Sequence, residues 1–192
     1  MAKLTEIRWH GRGGQGAKTA ALLFGEAVLG QGKYMQAFPE YGPERMGAPV
    51  QSFNRISDEP ITLHCHVTSP QVVVVLDPTL IGNVDVTQGL PNDGIIIINT
   101  EQPPSKFREM LHLNGQKVYT VDASRIARET IGRDIPNTPM MGALVKVTGL
   151  LDFQEMLKDT RKKLEKKFRS KPEIIEGNIK AIERAYNEVK GG

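Results

Sequence analysis

Two uninterrupted apolar runs, Val72-Val73-Val74-Val75-Leu76 and Ile95-Ile96-Ile97-Ile98, constrain this chain more than any other feature. A strand with one wetted face alternates apolar and polar residues. A β-branched run with no polar interruption is stable where both faces of a sheet are covered, as in parallel sheets. Asp77-Pro78 closes the first run and Asn99-Thr100 the second. Lys117 to Val121 is a further strand candidate, and helical segments fit at Ser105 to Leu113, Ala123 to Ile131 and Thr138 to Val147. Strands alternating with helices predict an α/β fold: a Rossmann-like, mostly parallel sheet with helices on both faces.

Upstream, Ile7 and Trp9 alternate with polar neighbours, so Thr5 to His10 reads as a first strand. A glycine-rich segment follows, then helix formers from Ala17 to Leu29, stopped by Gly30 and Gly32, and a second strand candidate from Tyr34 to Phe38. Val50 to Ile56 and Ile61 to His66 flank the turn-rich Ser57-Asp58-Glu59-Pro60, which predicts a hairpin or a pair of short strands. Phe153 to Phe168 and Pro172 to Val189 have helical periodicity, with Pro172 suited to a helix start. The expected organisation is a core domain over 1–150 and a helical extension over 151–192 packed on it.

Gly11-x-Gly13-x-x-Gly16 lies between a strand and a helix, as a dinucleotide fingerprint does. That fingerprint also needs an acidic residue on the order of 20 residues further on, at the end of the next strand, to hold a ribose. The strand here ends Ala37-Phe38-Pro39, and Glu40 begins a different motif, which weakens an NAD-type reading. A P-loop fails as well. Ala17 separates Gly16 from Lys18-Thr19, and one residue turns a helix by about 100°. Two readings stay open: a phosphate-accommodating helix entrance with Arg12, Lys18 and Thr19 beside it, or a tight strand-to-helix turn.

The chain has one cysteine, Cys65. That excludes an internal disulfide and an iron–sulfur cluster held by this chain alone, which needs about four thiolates. His64-Cys65-His66 lacks a third ligand for a closed zinc site, so no metal is expected, and Cys65 reads as a buried strand thiol. His10, just before the glycines, suits strand-end packing as well as phosphate contact. No apolar run approaches the roughly 20 residues of a membrane helix, and the N-terminus passes straight into a strand, so a cytoplasmic protein is expected. Between Lys158 and Lys171 stand eight basic residues and two acidic ones, a surplus of six in a chain whose net charge is +3. A docked amphipathic helix with a solvated basic face is the plainer reading, and nucleic-acid binding is the alternative.

Three blocks carry a resemblance: Arg8-Trp9-His10-Gly11-Arg12-Gly13-Gly14-Gln15-Gly16-Ala17-Lys18, Gln36-Ala37-Phe38-Pro39-Glu40-Tyr41-Gly42-Pro43-Glu44-Arg45-Met46-Gly47-Ala48-Pro49, and Asn137-Thr138-Pro139-Met140-Met141-Gly142-Ala143-Leu144. In this order, and over about residues 5–150, the sequence resembles the γ subunits of 2-oxoacid:ferredoxin oxidoreductases. It is most similar to those of four-subunit pyruvate enzymes. The resemblance implies a cofactor-free γ subunit, not catalytically complete alone, that works with α, β and δ subunits and, indirectly, with ferredoxin. Thiamine diphosphate, Mg and [4Fe-4S] clusters would sit on the partners, and the 2-oxoacid is not fixed by this chain. It also implies a shared coenzyme A phosphate site on Gly11, Arg12, Gly13, Gly14, Gln15, Gly16, Lys18 and Thr19. Glu40, Tyr41, Glu44 and Arg45 would face an inter-subunit interface or line the cleft. Neither nucleic acid nor membrane is an expected partner.

Overall fold

The two β-branched runs lie side by side at the centre of the sheet. In the computed structural model, which describes residues 4–40, 47–169 and 171–192, β4 (Val72–Val75) pairs in parallel with β5 (Ile95–Asn99). β1 (Thr5–Arg12) lies parallel on the other side of β4, and β6 (Lys117–Val121) parallel beyond β5. Antiparallel strands border this core. β3 (Pro49–Ser57) pairs with β1, β2 (Tyr34–Glu40) with β3, and β7 (Lys190–Gly191) with β6, giving the order β2-β3-β1-β4-β5-β6-β7.

The expected parallel sheet is therefore parallel only at its centre. The hairpin also falls elsewhere than expected: it joins β2 to β3, and Ile61 to His66 is not a strand. Side chains of the sheet take the carbonyls that a strand there would have used. Gln36 Nε2 donates to the Leu63 carbonyl at 3.0 Å, and Arg55 Nη2 to that of Cys65 at 2.7 Å. The segment crosses the sheet face, and Cys65 is exposed rather than a buried strand thiol.

Alternate residues of the central strands fill two separate cores. Ile7, Trp9, Val72, Val74 and Ile97 face one side, and Val73, Val75, Ile96 and Ile98 the other. Helices cover both faces, but unequally. Ala17–Gly30 (α1), Ala123–Ile131 (α3), Asn137–Thr148 (α4), Phe153–Lys167 (α5) and Pro172–Glu188 (α6) all contribute to the first core. The second is roofed by α2 (Pro104–Met110), the 3-10 turn Pro78–Leu80 and residues such as Val86 and Leu90.

The last two helices share the first core. At Gly142 a Cβ would lie 2.1 Å from the Ile182 carbonyl oxygen, so α4 and α6 approach through bare backbone. Ile175, Ile179 and Ile182 bury their side chains on the same α6 face.

Polar bonds fix α1 against the sheet. Trp9 is fully buried, edge-on to Phe24 with ring centroids 6.3 Å apart. Its Nε1 donates to Asn54 Oδ1 at 2.8 Å, and Asn54 Nδ2 donates to the Ala21 carbonyl at 2.8 Å. One amide thus joins β1, β3 and α1. Asn54→Leu keeps the volume but strands the indole N–H, so we expect a loss of about 2 kcal/mol in urea denaturation. An unchanged midpoint would show that this bridge contributes little.

Candidate functional site

Parallel α/β sheets bind ligands beyond the carboxyl ends of strands, where adjacent strands send their following segments to opposite faces. β1 and β4 meet that condition. After β1 the chain enters α1 on one face, whereas after β4 it enters the Pro78–Leu80 turn, whose Leu80 joins the opposite core. The glycine-rich turn, Arg12 and Asp77 stand at this switch point.

Asp77 organises the crevice. Its Oδ1 accepts from the Thr79 backbone N–H at 2.9 Å and the Thr79 hydroxyl at 2.7 Å. Its Oδ2 accepts from Gln15 Nε2 at 2.8 Å and Arg12 Nε at 3.1 Å. Gln15 Oε1 in turn accepts from the Arg12 backbone N–H at 2.7 Å, which closes the turn on itself. Burial alone would raise the Asp77 pKa. The hydrogen bonds from Thr79 and Gln15 and the Arg12 charge outweigh it and hold the carboxyl below its ordinary range. Its stabilising contribution is therefore present at neutral pH and lost as pH falls through the carboxylate range.

Arg12 has further internal partners: Thr79 Oγ1 accepts from Nη2 at 3.0 Å and the Gly47 carbonyl from Nη1 at 3.1 Å. Arg12 and Gln15, expected to touch phosphate, hold the turn in shape through these bonds. Gly11 is the penultimate residue of β1, and Gly13 donates its N–H to the Ala48 carbonyl at 2.9 Å. Gly14 is exposed.

Gly16 caps α1 in the left-handed region at φ +82, and a Cβ there would lie 2.5 Å from Asn137 Nδ2. Asn137 Nδ2 donates to the Gly16 carbonyl at 3.4 Å. The first and third sequence blocks thus meet, bringing the N-termini of α1 and α4 together. Neither terminus has a side-chain cap or an acidic residue in its own first turn, so the helices' own residues leave the positive ends of both dipoles available to an anion. Lys18 and Thr19, in that first turn of α1, are both exposed. This corner favours a phosphate-bearing ligand.

Among the remaining expected residues, Glu40 is exposed at the end of β2, and Tyr41, Glu44 and Arg45 lie outside the described residues. No group of three His, Cys, Asp or Glu among the described residues could hold a metal ion. His10 is buried, as a packing role requires. The NAD-type arrangement finds no support, because antiparallel β3 occupies the place beside β1, and its residues at this end are Pro49, Val50 and Gln51. Sequence reasoning passed over the clamp on Asp77 and the Asn137 contact. Asp77-Pro78-Thr79 was the available signal for the first, since an aspartate before proline suits a turn entrance. The second joins segments 121 positions apart.

Known proteins similar to this chain agree on its kind. The family described as pyruvate ferredoxin/flavodoxin oxidoreductase matches residues 6–188. Pyruvate synthase subunit PorC of Thermotoga maritima is 50% identical over 188 residues, covering 98% of this chain and 96% of its own. The crystal structure of a pyruvate oxidoreductase subunit from that organism superimposes with a TM-score of 0.87 at 47% identity, covering 99% of each chain. The pyruvate/ketoisovalerate oxidoreductases common subunit gamma of Pyrococcus abyssi is 45% identical over 190 residues, covering 97% and 98%.

His10 supplies a pH test of the strand that carries the site. Burial, reinforced by the Arg8 guanidinium and opposed by Asp85, pushes the imidazole down to about 3. In the unfolded chain it titrates at about 6.5. Below that value the unfolded state binds a proton that the folded state refuses. Stability from this group is thus intact above about pH 6.5 and falls by up to about 1.4 kcal/mol per unit as pH drops toward the folded value. His10→Leu should flatten the pH dependence of the urea midpoint across this window. A slope equal to that of the unsubstituted protein would assign the acid sensitivity elsewhere.

Proposed function

This chain belongs to the pyruvate ferredoxin/flavodoxin oxidoreductase family, and we propose that it is the γ subunit of a multisubunit pyruvate:ferredoxin oxidoreductase, in which it contributes to coenzyme A binding. The observation that carries this reading is the near-full-length similarity to PorC combined with an exposed Lys18 at the paired helix N-termini.

The complex oxidatively decarboxylates pyruvate, passes the electrons to ferredoxin and transfers the acyl group to coenzyme A. The α, β and δ subunits carry thiamine diphosphate, Mg and the [4Fe-4S] clusters, which supply the decarboxylation and electron transfer. A chain with one thiol has too few ligands for such a cluster. Its own work is binding and orientation. The amide N–H groups opening α1 and the Lys18 ammonium engage a phosphate of coenzyme A, and the Thr19 hydroxyl adds a donor. Arg12, Gln15 and Asp77 are positioning residues that fix the turn from which α1 starts. Glu40, exposed at the end of β2, contributes to the contact with the partner subunits.

The 2-oxoacid is selected elsewhere. In Pyrococcus abyssi one common subunit gamma serves both pyruvate and ketoisovalerate oxidoreductases, and this chain is 45% identical to it. A subunit that accepts either substrate's complex does not read the substrate side chain.

In the assembled oxidoreductase, Lys18→Ala should raise the KM for coenzyme A by about tenfold, as loss of one charge-assisted hydrogen bond does. Carbon dioxide release from pyruvate before acyl transfer should stay near that of the unsubstituted enzyme. An unchanged KM would remove Lys18 from the site.

A further inference from the structure

α5 and the residues after it carry a charge surplus that the fold only partly neutralises. Lys163 pairs with Glu26 of α1 at 3.2 Å, and Arg161 Nη2 donates to Glu176 of α6 at 2.9 Å, so these two anchor the helix. Lys158 and Lys162 approach Glu155 and Asp159 of their own helix only at 3.7 Å and 4.0 Å, and their side chains remain 61% and 62% exposed. Lys166 and Arg169 are exposed, with no ion pair among the described residues. Lys158, Lys162 and Lys166 recur at helical spacing and form one row about 12 Å long, and Arg169 follows just past the helix end. Met156, Leu157, Thr160 and Leu164 are buried on the opposite side.

The chemistry of this row selects its occupant. Permanent subunit seams are apolar and poor in lysine, whereas brief electron-carrier encounters use small interfaces steered by solvated charge. Among the described residues the exposed large hydrophobics are Leu22, Leu29, Tyr34, Leu63 and Met110, none of them on α5. Glu155, Asp159 and Glu165 are interleaved with the basic residues and Phe168 is half-buried, a poor match to a nucleic-acid backbone and its bases. The family reaction hands electrons to a separate carrier that must arrive and leave at every turnover.

We propose that the row Lys158, Lys162 and Lys166, with Arg169 just past its end, steers and docks an acidic electron-acceptor protein onto the assembled oxidoreductase. This rests on the γ-subunit reading above. Lysine ammoniums act over about a Debye length, roughly 8 Å at physiological salt, and raise the encounter rate without holding the carrier after transfer.

The test compares the assembled enzyme with and without Lys158→Gln/Lys162→Gln/Lys166→Gln. Turnover is measured with an acidic ferredoxin and with methyl viologen, a small dication that needs no docking surface. At low salt the KM for ferredoxin should rise by about tenfold and lose most of its salt dependence, while methyl viologen turnover stays unchanged. An unchanged ferredoxin KM overturns the docking inference and leaves the subunit reading standing. Failure of the variant chain to join the complex overturns it too, because the row would then be a permanent seam. Polynucleotide binding that the substitutions abolish, with the ferredoxin KM unaltered, reassigns the row to nucleic acid. An unsubstituted complex that reduces neither acceptor with pyruvate sinks the γ-subunit reading, and the docking inference with it.

Discussion

The Asp77 carboxylate, at the carboxyl end of a strand buried on both faces, gathers Arg12, Gln15 and Thr79 onto its two oxygens. The glycine-rich turn depends on that gathering. Six residues with four glycines have a large conformational entropy to lose, and a turn held by glycine alone would sample many shapes. Gln15 removes that freedom by bonding both the Arg12 backbone and Asp77, and Arg12 extends the clamp to Gly47 across the mouth of the β2–β3 connection. The geometry that leads into α1 is therefore set by side chains, which lets the glycines keep the backbone open on the solvent side.

Much of this architecture was legible in the sequence because burial leaves a periodic signature. The four central strands and the helices Ala123–Ile131 and Phe153–Lys167 fall close to where the apolar patterns place them. What escaped was decided by pairings between distant residues. Ile61 to His66 has a strand-like composition, yet Gln36 and Arg55 claim its carbonyls and pull it across the sheet. The antiparallel placement of β3 beside β1 leaves no mark in the local pattern either, since an apolar strand reads alike in both directions.

The candidate site divides in the same way. Its glycines and Lys18 announce themselves by type and spacing. The inward assignment of Arg12 does not, because an arginine beside a glycine loop looks the same whether it faces a phosphate or an aspartate. Asp77 made the difference, and it comes 65 positions later. Asn137 is similar. Its short amide fits against Gly16 only because that residue has no Cβ, so one glycine serves both a left-handed helix cap and a contact between two helix ends.

The placement of charge divides the molecule into two kinds of surface. Burying a charge demands a partner, and the chain meets that demand where shape matters: Arg55 with Glu6 inside the sheet and the largely buried Asp77 with Arg12 at the crevice, while a more exposed network of Arg125 and Arg184 with Glu129 and Glu188 ties α3 to α6. Lysines without close internal partners sit on the surface, where water solvates them at little cost: Lys106, Lys117, Lys180 and Lys190 are scattered, whereas Lys158, Lys162 and Lys166 share one face of α5. A buried pair fixes a distance, whereas a solvated lysine row sets only a potential. Rigid pairs therefore suit the crevice, where a turn must be held in shape, and loose charges suit the encounter surface proposed for α5. The separation follows from electrostatics in two dielectrics, and it makes the crevice and the α5 row independently alterable.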